Sequence, residues 1–220
     1  MKDTAAIAKV HEEIKKMSGA RAQEILDAAV YLFDEHHYKD ISLKDIAVHT
    51  SMSRPSIYNY FQTKGEIFLA LLTREYLQWA EELANVPVTA EFTLAVVQQL
   101  AGKDLMFKLI ANNITEFEEE SRDQNILTFK YSYLATMENF EKALVEHYPH
   151  LTSAQSNDIV LAFFPYLFGV YPYTTITQRQ QVALDTLTDN FPQSSAQDLL
   201  HNLLHTLVAP YAIADDSPSN

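Results

Sequence analysis

The chain has 220 residues, enough for one large domain or two smaller ones, and its 47% hydrophobic and 20% charged content is that of a globular protein. It has no cysteine, which excludes disulfides, thiolate metal sites and a cysteine nucleophile; its four glycines, at 19, 65, 102 and 169, leave no dinucleotide fingerprint, no P-loop and no G-x-S-x-G elbow. The formal net charge is -13, yet residues 1–64 hold nine Lys/Arg and nine Asp/Glu while residues 65–220 hold seven and twenty, so all the net acidity belongs to the second part.

The N-terminal stretch MKDTAAIAKVHEEIKK has acids and a histidine where a secretory leader needs an apolar run, which predicts a cytoplasmic protein. Residues 1–19 read as a helical extension in which Lys2, Lys9, Lys15 and Lys16 are offset by Asp3, Glu12 and Glu13. That balance favours a solvated helix over a basic arm reaching DNA. From Arg21, the spacing of Ile25, Leu26, Ala29, Leu32 and Phe33 predicts an amphipathic helix ending near His36 or His37.

Ser42 and Asp45 form a capping-box pattern that opens a short second helix, ending near Thr50. Ser53 is a second cap, with Pro55 in the first turn of a third helix from Arg54 to Tyr60. Only Ser51, Met52 and Ser53 separate these two helices, and Ile46, Ala47, Met52, Ile57 and Phe61 are spaced to face the first. The result is a helix-turn-helix on a three-helix core.

A helix entering the major groove presents base-reading side chains near its N-terminus, flanked by groups that hold phosphates. Arg54 can fork onto guanine, Pro55 and Ser56 can touch a thymine methyl or a base edge, and Asn59 can donate to and accept from adenine. Ser42, Tyr60 and Lys64 suit phosphates, and Lys64 also opens the next helix.

The segments ILDAAVYLF, ISLKDIAVHTSMS and RPSIYNYFQTKGEIFLALL make the region from Arg21 to about Leu72 resemble the DNA-binding part of the TetR family of bacterial transcriptional regulators. The most specific element is I-Y-x-Y-F-x-x-K at Ile57, Tyr58, Tyr60, Phe61 and Lys64. The resemblance implies that Ser42, Lys44, Arg54, Pro55, Ser56, Tyr58, Tyr60 and Lys64 lie at or near DNA, with Lys44 and Arg54 reading bases and Ser42, Tyr58, Tyr60 and Lys64 on phosphates. Two positions depart from the family. His37 stands where a glycine usually ends the first helix, so a left-handed cap there would be strained, and Ser51 stands where the turn often has glycine.

Further helices are predicted at about Lys64 to Asn85, Thr89 to Ala101, Lys103 to Asn113, Gln124 to Tyr148, Thr152 to Tyr171 and Ser194 to Ile213, with no strand pattern and no repeat. The glutamate-rich run ITEFEEESRD, Ile114 to Asp123, reads as a solvated helix end or loop. The apolar segment Ile159 to Tyr173 is too short for a membrane span, which takes roughly 20 residues, and reads as a buried helix.

The expected fold is all-α, with an N-terminal three-helix helix-turn-helix domain at residues 20–66. A larger helical ligand-binding and dimerisation domain follows at 67–213, then a flexible tail at 214–220. The resemblance implies that the second domain pairs in a homodimer and encloses a small-molecule pocket. Candidate pocket residues are Trp79, Phe107, Phe117, Phe129, Tyr133, Phe164, Tyr166 and Phe168, although aromatic residues at helical spacing more often form packed core. Candidate subunit contacts are Phe163, Leu200, Leu203, Leu204 and Leu207, since a wide apolar face runs along the last helix.

His201 and His205, one turn apart, have metal-ligand spacing without a third ligand, so no metal and no cofactor is expected. No acid–base pair or nucleophile stands out, which argues against an enzyme. The expected activity is therefore that of a regulator, most simply a repressor, released from a palindromic double-stranded DNA operator by a small molecule, with no membrane partner. The rival is an adaptor of the same architecture that binds protein instead of an operator.

Overall fold

Twelve α-helices and two short 3-10 turns make up the residues described by the computed structural model, which are 4–112, 114–189 and 191–212. In chain order the helices are α1 (Thr4–Met17), α2 (Ala20–Glu35), α3 (Leu43–Val48), α4 (Arg54–Ile57), α5 (Lys64–Ala84), α6 (Phe92–Leu100), α7 (Asp104–Ala111), α8 (Ile114–Glu119), α9 (Asp123–His147), α10 (Ser153–Thr174), α11 (Gln178–Leu187) and α12 (Ala196–Val208). No strand occurs among the described residues, and the fold is all-α as the periodicity predicts. The chain divides into two compact units, one of residues 1–80 and 108–136 and the other of 81–107 and 137–220.

In the first unit, α2 buries Ile25, Leu26, Ala29, Leu32 and Phe33, the positions its sequence period selects. Helix α3 starts with the expected box: the Asp45 amide donates to the Ser42 hydroxyl (3.3 Å), and the Ser42 amide donates to the Asp45 carboxylate (3.0 Å). Ile46, Ile57 and Phe61 close the core at 0%, 0% and 1% exposure, so the inward half of the helix-turn-helix is sealed by ordinary hydrophobic burial. Helix α1 is docked rather than solvated all round. Its Val10 and Met17 are buried, the Met17 carbonyl accepts from the Gln23 side-chain Nε2 (2.8 Å), and His11 lies edge-on to Tyr131.

The second unit is built on stacked aromatics. Phe140 lies 5.0 Å from Phe163 in a near-parallel stack, and 5.5 Å from both Phe92 and Phe164 in edge-to-face contacts. Helix α12 packs on α6 and α10 through Leu200, Leu204 and Val208. Helix α10 runs unbroken through Pro165 and Pro172, both on its exposed side, where the carbonyls freed by the missing N–H groups can reach water. No single helix among the described residues is long and apolar enough to cross a membrane; α10 and α11 reach that length only together, and they meet at a bend of 78°.

Several local expectations change. The backbone at His36 (φ -132°) and His37 (φ -72°) is extended, and no described residue has a positive φ, so the first helix ends without a left-handed cap and without strain. The third helix stops at Ile57 instead of Tyr60. Beyond it the Asn59 and Tyr60 amides bond three residues back, to Ser56 and Ile57, which tightens the turn.

The acidic run is a short helix end and turn, largely exposed, with one inward side. It contains α8, whose Phe117 is fully buried against Tyr38 (4.7 Å) and Phe68 (5.7 Å), and Glu118 and Glu120 accept hydrogen bonds within the first unit. Helix α11 was not predicted, because it has no buried residue and hence no apolar period. The last helix becomes a 3-10 turn at Ala209–Tyr211, where Pro210 supplies no N–H; Ile213 and the tail at 214–220 lie outside the described residues.

Candidate nucleic-acid interface

With Ile57 and Phe61 turned inward, the rest of the third helix and its exit turn faces outward. Arg54, Pro55, Tyr58 and Asn59 are exposed, as is Lys44 on α3, while Ser56 and Tyr60 are half-buried. The sequence-selected residues therefore lie on α3 with its cap, on α4 with its exit turn, and, for Lys64, at the start of α5.

Their side chains are partly pre-positioned. Arg54 donates to the Tyr58 hydroxyl (3.1 Å) and its guanidinium carbon sits 5.8 Å from that ring's centre, which holds the fork one turn along the helix axis. The Ser53 and Ser56 hydroxyls bond each other at 2.8 Å, so Ser53 does not cap the helix. The Ser42 hydroxyl donates to Asp45 (2.5 Å) and accepts the Asp45 amide, leaving one lone pair for another partner. That bond, first, and the Ser42 amide, second, hold the Asp45 carboxyl below its ordinary pKa of 3.8. Lys64 donates to the Tyr38 carbonyl (2.7 Å) and lies 3.9 Å from the centre of the Tyr38 ring, so it contributes to the core as well as opening α5.

Two residues absent from the sequence-based set shape the turn. Glu24 on α2 accepts the Ser51 amide, and Arg21 donates to the Ser51 hydroxyl (2.7 Å) and pairs with Glu24 (3.4 Å). The Ser51 amide is also the largest cause of the lowered Glu24 pKa. A serine thus replaces the family's glycine without a left-handed backbone, and its hydroxyl gives the turn a second tether. The signal available in sequence was the Arg-x-x-Glu pair at the start of α2.

A second set of tethers joins α2 to α5 and α7. Arg74 donates to Gln23 (3.2 Å) and Asp27 (3.0 Å), and Lys108 donates to the Phe33 carbonyl and pairs with Asp34 at 3.7 Å. These contacts set the orientation of the helix that supports the recognition surface.

The candidate pocket residues fall in both units. In the first, Trp79, Phe117 and Phe129 are buried and Tyr133 is half-buried; in the second, Phe107 and Phe164 are buried, Tyr166 is half-buried and Phe168 is 40% exposed. Beside Phe129 and Tyr133 lies Tyr76, fully buried, whose hydroxyl has no hydrogen-bond partner among the described residues; burial, and after it the neighbouring Tyr133, pushes its pKa up. Of the candidate subunit contacts, Phe163, Leu200 and Leu204 are buried inside the chain, whereas Leu203 and Leu207 are half-buried. His201 and His205 stack 5.8 Å apart, and no group of three or more metal-ligating side chains occurs among the described residues.

A sealed three-helix core with an outward Arg54–Asn59 face defines the class: a helix-turn-helix transcriptional regulator. Comparison with known proteins then fixes the family. Residues 25–71 match the family of bacterial regulatory proteins named for tetR, and residues 72–209 match the tetracyclin repressor-like C-terminal domain. The chain belongs to the TetR family.

Solved structures agree at the level of fold. A tetR-family regulator from Streptomyces coelicolor is 17% identical with a TM-score of 0.58, covering 86% of this chain and 79% of that one. The fatty acid degradation regulator FadR from Bacillus halodurans is 17% identical with a TM-score of 0.57 over 86% and 95% of the two chains. A tetR-family protein from Mesorhizobium loti is 13% identical with a TM-score of 0.59 over 96% and 100%. No curated protein matches the chain in sequence.

Proposed function

We propose that the protein is a dimeric repressor that binds a palindromic operator through Lys44, Arg54, Pro55, Ser56, Tyr58, Asn59 and Tyr60, and leaves it when a small molecule binds the helical body. The carrying observation is the joint exposure of Arg54, Pro55, Tyr58 and Asn59, with Lys44 exposed on the preceding helix, around a core closed by Ile57 and Phe61. The charge-neutral first 64 residues support it, because the surplus of acids lies elsewhere in the sequence. Arg54, Lys44 and Asn59 read bases; Tyr58 and Tyr60 hold the backbone. Lys64, engaged by Tyr38, contributes less to phosphate binding than an unattached lysine.

Selection of genomic fragments followed by titration at several salt concentrations tests this. Arg54→Ala relaxes base preference, with discrimination falling by about 1–3 kcal/mol, whereas Lys64→Ala weakens all sequences about equally. A selection that enriches no palindrome would instead favour the protein-binding adaptor.

For the effector, the support is the buried Tyr76 hydroxyl next to Phe129 and Tyr133, a polar atom in an apolar setting with no hydrogen-bond partner among the described residues. Tyr76→Phe should leave folding intact and abolish stabilisation by any compound found in a thermal-shift screen. For the dimer, the half-buried Leu203 and Leu207 combine with the exposed Leu161, Phe168 and Tyr173 on the outer side of α10. Leu161→Glu with Phe168→Glu should give a monomer in analytical ultracentrifugation; an unchanged dimer would overturn that placement.

A further inference from the structure

The segment that leaves the recognition helix, Gln62 to Glu66, is gripped by residues almost sixty positions away. The carboxylate of Glu120, just beyond α8, accepts from the Gly65 amide (3.0 Å) and from the Tyr38 hydroxyl (2.9 Å), and the Glu120 carbonyl accepts from Thr63 (2.7 Å). Two residues on, Arg122 forks onto Glu66 through Nε (2.5 Å) and Nη2 (3.0 Å), and its amide reaches the same carboxylate at 3.3 Å. Glu66 has no solvent exposure and also accepts the Gln62 amide at 2.7 Å.

The fit is tight at one point. A Cβ on Gly65 would stand 2.5 Å from the Glu120 Cβ and 2.9 Å from the Phe117 carbonyl, so the close approach of the α8–α9 turn to α5 requires the glycine. Phe61, the last core residue of the recognition segment, immediately precedes the gripped stretch.

We propose that Glu120 and Arg122 are positioning residues for operator binding: the α8–α9 turn clamps residues 62–66 and Tyr38 together and so sets the angle at which the recognition helix is presented. Neither lies among the residues placed at DNA, and both act through Gly65, Glu66 and Tyr38. The proposal rests on the DNA-binding reading above. A fork onto a buried carboxylate and a two-donor bond at Glu120 fix both distance and direction, which an apolar contact would leave softer. The turn therefore transmits any displacement of α8 to the exit of the recognition helix.

The test uses the full-length chain, a duplex carrying the selected operator and a random duplex of equal length. Glu120→Ala should lower operator affinity about tenfold, the scale of coupling between linked sites. Random-duplex affinity should stay within about twofold, because it depends on cation–phosphate pairs that the change leaves in place. Glu120→Gln keeps an oxygen acceptor and should retain most of the operator affinity. Where Glu120→Ala does not fold, Tyr38→Phe removes one donor to the same carboxylate and is read for the same selective loss.

Full operator affinity in Glu120→Ala, equal loss on both duplexes, or identical behaviour of the Ala and Gln variants would overturn the proposal. A wild-type chain with no preference for any duplex would sink the DNA-binding reading and this proposal with it. A firm wild-type operator that the clamp variants bind unchanged would sink this proposal alone.

Discussion

The two units of the chain are held by different chemistry. The first combines its hydrophobic core with directional polar tethers: Arg74 on Gln23 and Asp27, Lys108 on Phe33 and Asp34, Arg122 on Glu66, and Glu120 on Tyr38 and Gly65. The second is centred on the rings of Phe92, Phe140, Phe163 and Phe164, with fewer polar ties, among them the buried Lys103 on Glu82 and Ser156 on Glu141. Ring packing tolerates small shifts at little cost, whereas a fork on a buried carboxylate has one good geometry. The unit that must present side chains at fixed spacing has the directional contacts.

The contrast can be broken most strongly in the second unit. Phe140→Ala removes a fully buried ring from its stack and should cost about 3–5 kcal/mol in urea unfolding, whereas Phe140→Leu should recover most of that. In the first unit, Arg122→Ala leaves the buried Glu66 carboxylate with backbone donors alone, and a loss of about 2 kcal/mol is expected. If Arg122→Ala were neutral and Glu66→Gln equally so, the polar tethers would be ornaments on a hydrophobic core. Gly65→Ala should cost about 1–3 kcal/mol by overpacking against Glu120, measurable in the same unfolding curves.

The smallest effect is acid sensitivity at the turn and caps. The Glu24, Asp45 and Asp198 carboxyls have depressed folded-state pKa values, caused first by Ser51, Ser42 and Ser195 respectively. Their stabilisation is therefore complete above the ordinary carboxyl values of 4.5 and 3.8 and is lost as pH falls through the lower folded values. Amide exchange at Ser51 should accelerate relative to unstructured references as pH drops below about 4, and Glu24→Gln should remove that acid dependence.

How much of this was legible in sequence depended on the length scale of the contact. The α2 face, the Ser42–Asp45 box and the inward Ile57 and Phe61 are local patterns, and the structure has them. The run at 114–123 is largely exposed, as its charge predicts, but its inward Phe117 and the approach of Glu120 and Arg122 to Gly65 and Glu66 come only with the fold. The single Phe117 in that run was the available hint of an inward side. Helix α11 lacked a hydrophobic period, yet Thr177 and Gln180 form the same capping box as Thr152 and Gln155, so its start was readable although its body was not. Arg21 and Glu24 went unnoticed as turn tethers because their partner, Ser51, lies about thirty residues away.

The clearance at Gly65 has a practical meaning for anyone building chimeric regulators. Cutting the chain after residue 66 to transplant its DNA-reading head would separate Glu66 from Arg122 and the Gly65 amide from Glu120. The graft would then carry a buried carboxylate without its counter-charge. A transferable head needs residues 114–123 with it, or a recipient that supplies both an acceptor and a fork at that junction, together with backbone lean enough to lie against a residue that has no side chain.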